Sequence, residues 1–522
     1  MPSVTYGTDP GAQFVLDELL LEAGIVLGAP HQLRRTRYDT FDGLLHEAGL
    51  RLERRSSPPS TSGEQLVLTA DRGVPAHLPL TDTVPVDPPR VLDVSELPAG
   101  PMRTRLAAIC GLRIPLAQLT VVSVRRTGEL PGPAGAPLVR LHLDTEVQIP
   151  GAPPASRTVL EVEELPGGEK LARQLRKRLE RAGLRPFAGD LLERGMALAG
   201  IDPTGFDGLA IPTLERSGPA LDGYRTVLRA CFEALEANWE GTADHLDIEF
   251  LHDLRIAVRR TRSVLGEGRQ VLDREQRRHL RAEFAWLGRL TGPARDFDVY
   301  FEEWDELTGD LPPASRRALL PVRSELALRR EQEHQRVTEA LRSERAARLR
   351  TEVRAWLARP ELDVNGGRRA LAPLGKVVAA RIAAAQAGVL EDGRAITEES
   401  PATDLHELRK DAKRLRYLLD SFGDLGGQKR RRTITRHLKQ LQDNLGEHQD
   451  TQIQTDELRE VVTSLASHEP VAPATTAAVE ELARMLEARQ QAARAEFAER
   501  FSAYDGAGPH KALEKLLTRM SR

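Results

Sequence analysis

The sequence predicts a multidomain protein, an antiparallel β-barrel-like α+β unit followed by an all-α unit that contains an internal duplication. Three observations carry that expectation. Up to about residue 165, short apolar–polar alternations recur between Pro/Gly-rich stretches, as antiparallel strands do. From the 220s onward nearly every segment has a helical period. Within that helical region one basic pattern occurs twice, as LHDLRIAVRRTR (Leu251 to Arg262) and LHELRKDAKRLR (Leu405 to Arg416).

The strand candidates are Gln65 to Thr69, Val121 to Arg126, Leu138 to Asp144 and Thr158 to Glu163. Stretches such as VPAHLPLTDTVPVDPPR and ELPGPAGAP separate them. Alternation places Arg140, His142 and Asp144 on one side of their strand, and Val159, Glu161 and Glu163 on one side of theirs. Such polar rows suit a solvated face or a charged barrel interior. From Glu169 to about Ile201 the period becomes helical, and Ile201 to Gly223 has the Pro/Gly content of a linker. The expected units are residues 1–202, a linker at 203–217, and a helical unit at 218–518 with halves at about 218–360 and 370–518. Helix breaks are expected near Gly266, Gly292-Pro293, Pro312-Pro313, Gly366-Gly367, Gly426-Gly427 and between Ser467 and Thr475.

The duplication keeps register. An offset of 154 aligns His252 with His406, Arg255 with Arg409, Arg259 with Lys413, Arg260 with Arg414 and Arg262 with Arg416. Downstream it aligns Gly292 and Asp296 with Gly446 and Asp450, so two copies of one folded unit are expected. At 100° per residue, His252, Arg255, Arg259 and Arg262 share one stripe, opposite an apolar stripe of Leu254, Val258, Thr261 and Leu265. The second copy sets His406, Arg409, Lys413 and Arg416 opposite Leu408, Ala412, Leu415 and Leu419. The following helices add Arg277 and Arg278, aligned with Arg431 and Arg432, and further cations including Lys439. Like charges crowded on one stripe repel, which points to a polyanion as their counter-charge. Arg offers a planar fork to phosphate oxygens and Lys a compact cation. Asp296 and Asp450 read as orienting groups for arginine or as helix caps, not as metal ligands.

Bulk composition limits the alternatives. The net charge is −3, so any anion site must come from local segregation of charge. The two cysteines, Cys110 and Cys231, have no metal-type spacing, and a reducing cytoplasm fits them. The sequence shows neither a secretory pattern nor an apolar run long enough to span a membrane, so no membrane partner is expected.

The His-x-x-Arg-x-x-x-[Arg/Lys]-Arg-x-Arg helix, its downstream Gly-x-x-x-Asp and the duplication resemble the CHAD family, the conserved-histidine α-helical domain, over about residues 218–518. The resemblance implies two pseudo-symmetric four-helix bundles that bind inorganic polyphosphate without catalysis; with the cysteine usage, the expected location is the cytoplasm, where polyphosphate granules are a candidate site of association. By motif position the resemblance carries over His252, Arg255, Arg259, Arg260, Arg262, His406, Arg409, Lys413, Arg414 and Arg416; Lys410, Arg277, Arg278, Arg431, Arg432 and Lys439 join them by charge and spacing. It assigns no catalytic residue, metal or cofactor.

The N-terminal part resembles a CYTH domain, the triphosphate tunnel fold. RRTRYDTFDGLLHEAGLRLERR (Arg34 to Arg55) is similar to its strand–turn–strand segment, and Val122–Arg126, Arg140–Asp144 and Leu160–Glu163 to its later strands. The family's Glu-x-Glu-x-Lys is absent, and Ala70 stands where a later strand's Lys would be. Half of the acidic metal cradle is therefore missing, and the expected role is that of a degenerate scaffold. Arg54, Arg125 and Arg126 remain as anion-holding candidates. Two alternatives stay open: a divalent-metal-dependent triphosphatase in the N-terminal unit, and nucleic-acid binding by the same basic groove. The second is disfavoured because Tyr417 is nearly the sole aromatic on the repeated helices.

Overall fold

A computed structural model describes residues 3–8, 13–57, 60–70, 76–79, 89–132, 135–150, 158–187, 189–208, 210–359, 366–467 and 470–522. Most of the first Pro-rich stretch between the strand candidates, and residues 133–134 of the second, lie outside the described residues. The chain forms two compact units, Met1–Asp207 and Gly208–Arg522.

The first unit is a nine-stranded antiparallel sheet with helices. In chain order its elements are β1 (Ser3–Thr8), α1 (Gln13–Glu22), β2 (His31–Asp39), α2 (Leu44–Glu47), β3 (Leu50–Ser57), β4 (Ser60–Ala70), β5 (Ala76–Pro79), α3 (Pro101–Cys110), β6 (Leu116–Pro131), β7 (Pro137–Gln148), β8 (Thr158–Glu164), α4 (Glu169–Arg181), β9 (Arg185–Phe187) and α5 (Leu191–Ala199). The strands pair in the order β5-β4-β3-β2-β6-β7-β8-β1-β9, so among the described residues β5 and β9 are edges. Strand alternation gives this sheet two unlike faces. Tyr6, Val139, Leu141, Leu143, Leu160 and Val162 pack under α1 and α4, while Tyr38, Leu52, Leu66 and Leu68 pack with Leu106 and Cys110 of α3.

The opposite face is charged. The register sets Arg140 across from Glu163, and His142 across from Glu161, so the two polar rows share one face. Arg35, Glu53, Arg55, Arg125 and Asp144 extend it across the sheet, and α5 closes one end by packing Leu191, Leu192 and Met196 on Leu119, Val121 and Val159.

The second unit is helical: α6 (Ala220–Ala243), α7 (Ile248–Glu267), α8 (Arg274–Leu290), α9 (Gly292–Gly309), α10 (Pro313–Ala318), α11 (Leu320–Leu341), α12 (Glu344–Ala358), α13 (Leu374–Ala395), α14 (Ala402–Phe422), α15 (Gln428–Ala466), α16 (Pro473–Tyr504) and α17 (Ala507–Ser521). The starts of α6 and α13, and of α8 and α15, are separated by the same offset of 154, so the repeat extends well beyond the basic motif. Backbone hydrogen bonds tie the copies reciprocally. Ala220 N donates to Ala372 O at 2.9 Å, and its equivalent Leu374 N donates to Gly218 O at 2.8 Å. Leu221 N to Ala370 O and Gly375 N to Arg216 O repeat the relation, both at 2.9 Å. Reciprocal bonding between equivalent positions is the signature of a local twofold axis.

The copies differ in one respect. In the first, the chain breaks at Thr291 and restarts as α9, with Pro293 in its first turn, where a missing N–H costs nothing. In the second, Glu447 follows the matched glycine, and α15 runs on for 39 residues. Tyr300 and Trp304 of α9, with Val322 and Leu326 of α11, pack against Leu458 and Val461 of α15 and Leu482 of α16, which joins the two halves in one core.

Candidate functional site

The amphipathic expectation for the repeated helices holds on the apolar side: Leu254, Val258, Thr261, Leu265, Leu408, Ala412, Leu415 and Leu419 are all buried. Asp247 caps α7, accepting from Glu249 N and Phe250 N, and thereby fixes the helix start five residues before His252. With their apolar stripes fixed, α7 and α14 pack against each other near the local twofold, and their basic sides meet in a cleft of about 430 Å³. His252, Arg255, Arg259, Arg409 and Lys413 line it from the two copies, together with Arg295, Asp296, Tyr300, Asp450, Gln454 and Glu457.

Arg255 is not on a solvated stripe. It is 8% exposed, and its Nη1 donates to Thr291 Oγ1 at 3.2 Å and to Gly288 O at 3.4 Å, while its Nε has no hydrogen-bond partner. Burial, and then the neighbouring Arg259, lower its pKa to about 10. Its counterpart Arg409 grips Asp450 with both ends of the guanidinium, at 3.0 and 3.2 Å, and donates to Gln449 at 2.8 Å. Burial, then Arg409 and Arg259, bring the Lys413 ammonium down to about 8. The cleft walls raise the pKa of Asp296 by desolvation, against the pull of Arg255 and Arg259.

The carboxylates of the cleft are partly committed. Asp450 serves Arg409 and Glu457 serves Arg329, which leaves Arg255, Arg259 and Lys413 with no carboxylate in salt-bridge distance among the described residues. Asp450 therefore does orient an arginine. Arg295 and the α9 residues around it had no separate signal in the sequence; only the Gly-x-x-x-Asp spacing pointed to that segment.

Other members of the sequence-predicted set lie elsewhere. His406 is exposed on α14 and does not line the cleft, whereas its counterpart His252 does. Arg414 is bound to the buried Glu267 at 2.5 Å, a carboxylate that also takes Arg381, so it ties the end of α7 to α13 and α14. Arg260 lies close enough to the buried thiol of Cys231 to act on it electrostatically. Lys410 pairs with Glu407 at 2.6 Å, Arg416 with Gln442 at 3.1 Å, and Arg431 with Asp424 at 2.8 Å. Arg278, Arg432 and Lys439 are exposed on α8 and α15, Arg262 is exposed on α7, and Arg277 is half-buried on α8.

The three N-terminal arginines do not converge. Arg54 points to the face opposite Arg125 and binds Glu64 at 2.5 Å, and Arg126 bonds the carbonyls of Gly28 and Leu27. Asp144 receives Ser123 and both ends of Arg125, with Arg35 at 3.5 Å; these arginines hold its pKa at about 2 despite burial.

Residues 226–459 match the family model described as the CHAD domain. Among solved structures the chain is similar to the CHAD domain from the plant Ricinus communis, at 24% identity over 57% of this chain and 96% of that one, with a TM-score of 0.47. It is similar to PptA from Streptomyces chartreusis at 21% identity, over 54% of this chain and 99% of that one, with a TM-score of 0.42. A third likeness is HpAC1 from Hippeastrum, described as having a dominant triphosphatase activity, at 14% identity over 37% of this chain and 94% of that one, with a TM-score of 0.27. At TM-scores below 0.5 these likenesses decide nothing further. No curated protein matches the chain. No helix among the described residues is long and apolar enough to cross a membrane. The family match runs from α6 into α15 across both copies of the basic motif, so the helical unit of this chain contains a CHAD domain match at residues 226–459.

Proposed function

We propose that this protein binds inorganic polyphosphate, without chemistry at that site, in the cleft where α7 and α14 meet. One observation carries this reading: Arg255, Arg259 and Lys413, drawn from both copies, crowd one cleft with no carboxylate in salt-bridge distance, and two of them have lowered pKa values. Concentrated cationic charge of this kind costs free energy until an anion arrives. Arginine forks with a lysine suit a chain of phosphate oxygens. Stacking of bases has little support here, because Tyr300 is 5% exposed and packed into the core beside Trp304, and Phe297, the other aromatic lining the cleft, packs against the same core.

The test is a titration with polyphosphate of defined length at fixed salt, comparing wild type with Arg259→Glu/Lys413→Glu. Removing two charged hydrogen bonds at roughly 1.5 kcal/mol or more each should weaken binding about a hundredfold. Wild-type affinity in that variant rejects the cleft.

The charged face of the sheet supports a second reading, a triphosphatase, through Asp144, Glu161 and Glu163. The residues present do not fit a divalent ion. Asp144 is taken by two arginines and Ser123, and Glu163 lies between Arg140 at 3.2 Å and His142 at 3.8 Å. Among the described residues no three acidic, His or Cys side chains converge. Release of phosphate from tripolyphosphate that is lost on chelation and in Glu161→Gln would nonetheless place an activity there.

A further inference from the structure

The cleft has an arginine-lined outlet on one side of the twofold only. Past Arg259, α7 carries Arg262, which lies against Gly288 of α8; a Cβ added to that glycine would sit 2.9 Å from Arg262 Nη1. Arg274, Arg277 and Arg281 fall within about 60° on the same side of α8 as Gly288. Arg289 and Arg281 act electrostatically on Arg262, and Arg281, Arg269 and Arg274 act on Arg277. Arg277 has Nε and Nη1 buried with no hydrogen-bond partner. None of these six arginines has a carboxylate in salt-bridge distance among the described residues. They form a cationic track running from the cleft along the groove between α7 and α8.

The matched groove of the second copy is neutralised. Arg416 binds Gln442 and has Asp420 at 3.6 Å, and Arg431 has Asp424 at 2.8 Å and Asp420 at 3.7 Å. At the positions equivalent to Asp420 and Asp424 the first copy has Gly266 and Gln270. Conversely, where the first copy has Arg274, Arg281 and Gly288 the second has Gln428, Thr435 and Gln442. The remaining cations Arg432, Arg436 and Lys439 lie about 80° to 140° around α15 from Arg431, away from that groove. The two copies therefore differ in charge pairing: in the second, Asp420 and Asp424 lie within reach of the groove arginines, and in the first the arginines have no carboxylate in salt-bridge distance among the described residues.

We propose that a polyphosphate chain too long for the cleft leaves it in one direction, along the α7–α8 groove, and not along the α14–α15 groove. This rests on the cleft reading, and makes the first copy's arginines the determinants of chain-length preference. A short oligomer fills the cleft; a long one gains the track.

The experiment measures binding of tripolyphosphate and of a long-chain polyphosphate at several salt concentrations. It compares wild type, Arg277→Glu/Arg281→Glu, and Arg432→Glu/Lys439→Glu, which makes the same charge change on the second copy. The first variant should lose tenfold or more in long-chain affinity and keep its tripolyphosphate affinity within twofold. Its salt slope should fall by roughly 0.7 for each phosphate that is no longer neutralised. The second variant should change long-chain affinity by less than threefold. Equal losses in the two variants, or unchanged long-chain binding in the first, overturn the one-sided track. Arg259→Glu/Lys413→Glu keeps the two ideas apart: if it binds tripolyphosphate as wild type does, the cleft reading fails first. Melting temperatures of all variants exclude unfolding as the cause.

Discussion

Lys413 is a cation held under adverse conditions, half-buried beside Arg409 and Arg259 at a pKa of about 8. Its lowered pKa means that the free protein loses this charge as pH rises through 8, and an anion that needs it must bind with uptake of a proton. Polyphosphate affinity should therefore fall up to about tenfold between pH 7 and pH 9, since about a tenth of the lysine stays protonated at the upper end. Lys413→Arg should flatten that dependence, because a guanidinium keeps its charge. Titrations across that pH range check both outcomes. Asp144 behaves in the opposite sense. Its folded pKa of about 2 lies below the ordinary value of 3.8, so it contributes about 2 kcal/mol above pH 4, lost as pH falls through 2. Asp144→Asn should abolish that acid dependence of stability in the sheet unit, measured by denaturant unfolding between pH 2 and pH 5.

At the scale of elements, periodicity predicted α7 and α14 well because their two faces obey one rule each. Leu254 and Leu408 are each 0% exposed at equivalent places, and replacement of either by alanine should cost about 2–5 kcal/mol, seen as a lower melting temperature. The break at Gly426-Gly427 was legible for a different reason. Gly427 has φ 107°, which L side chains rarely adopt, so Gly427→Ala should destabilise the start of α15 by about 1 kcal/mol in the same measurement. Other features at this scale were hidden. Nothing local announced that Arg255 would be left without a carboxylate while its twin Arg409 binds Asp450; the copies differ there in that α8 stops at Leu290 before α9, whereas α15 is continuous.

Over the whole molecule the net charge is −3, and polyanion binding must then come from separation of charge within one domain. If eight to ten phosphates are neutralised, log affinity should fall with log salt at a slope of about −6 to −7. The cleft alone offers fewer cations than that. A steep slope for long chains and a shallow one for tripolyphosphate should therefore appear together in salt-dependent titrations.

The sequence by itself determined the class of each unit, the duplication and its offset, and the apolar stripes, because these depend on periodicity along the chain. It also marked where cations concentrate. Only the tertiary structure decided which of those cations remain unsatisfied, because a salt bridge depends on which carboxylate the fold brings within reach. Arg414 finds Glu267, 147 residues away, and leaves the site, whereas Arg259 and Lys413 meet across the twofold with no carboxylate in salt-bridge distance among the described residues. The twin basic helices are thus equivalent in sequence but unequal in charge, since pairing is set by neighbours in space.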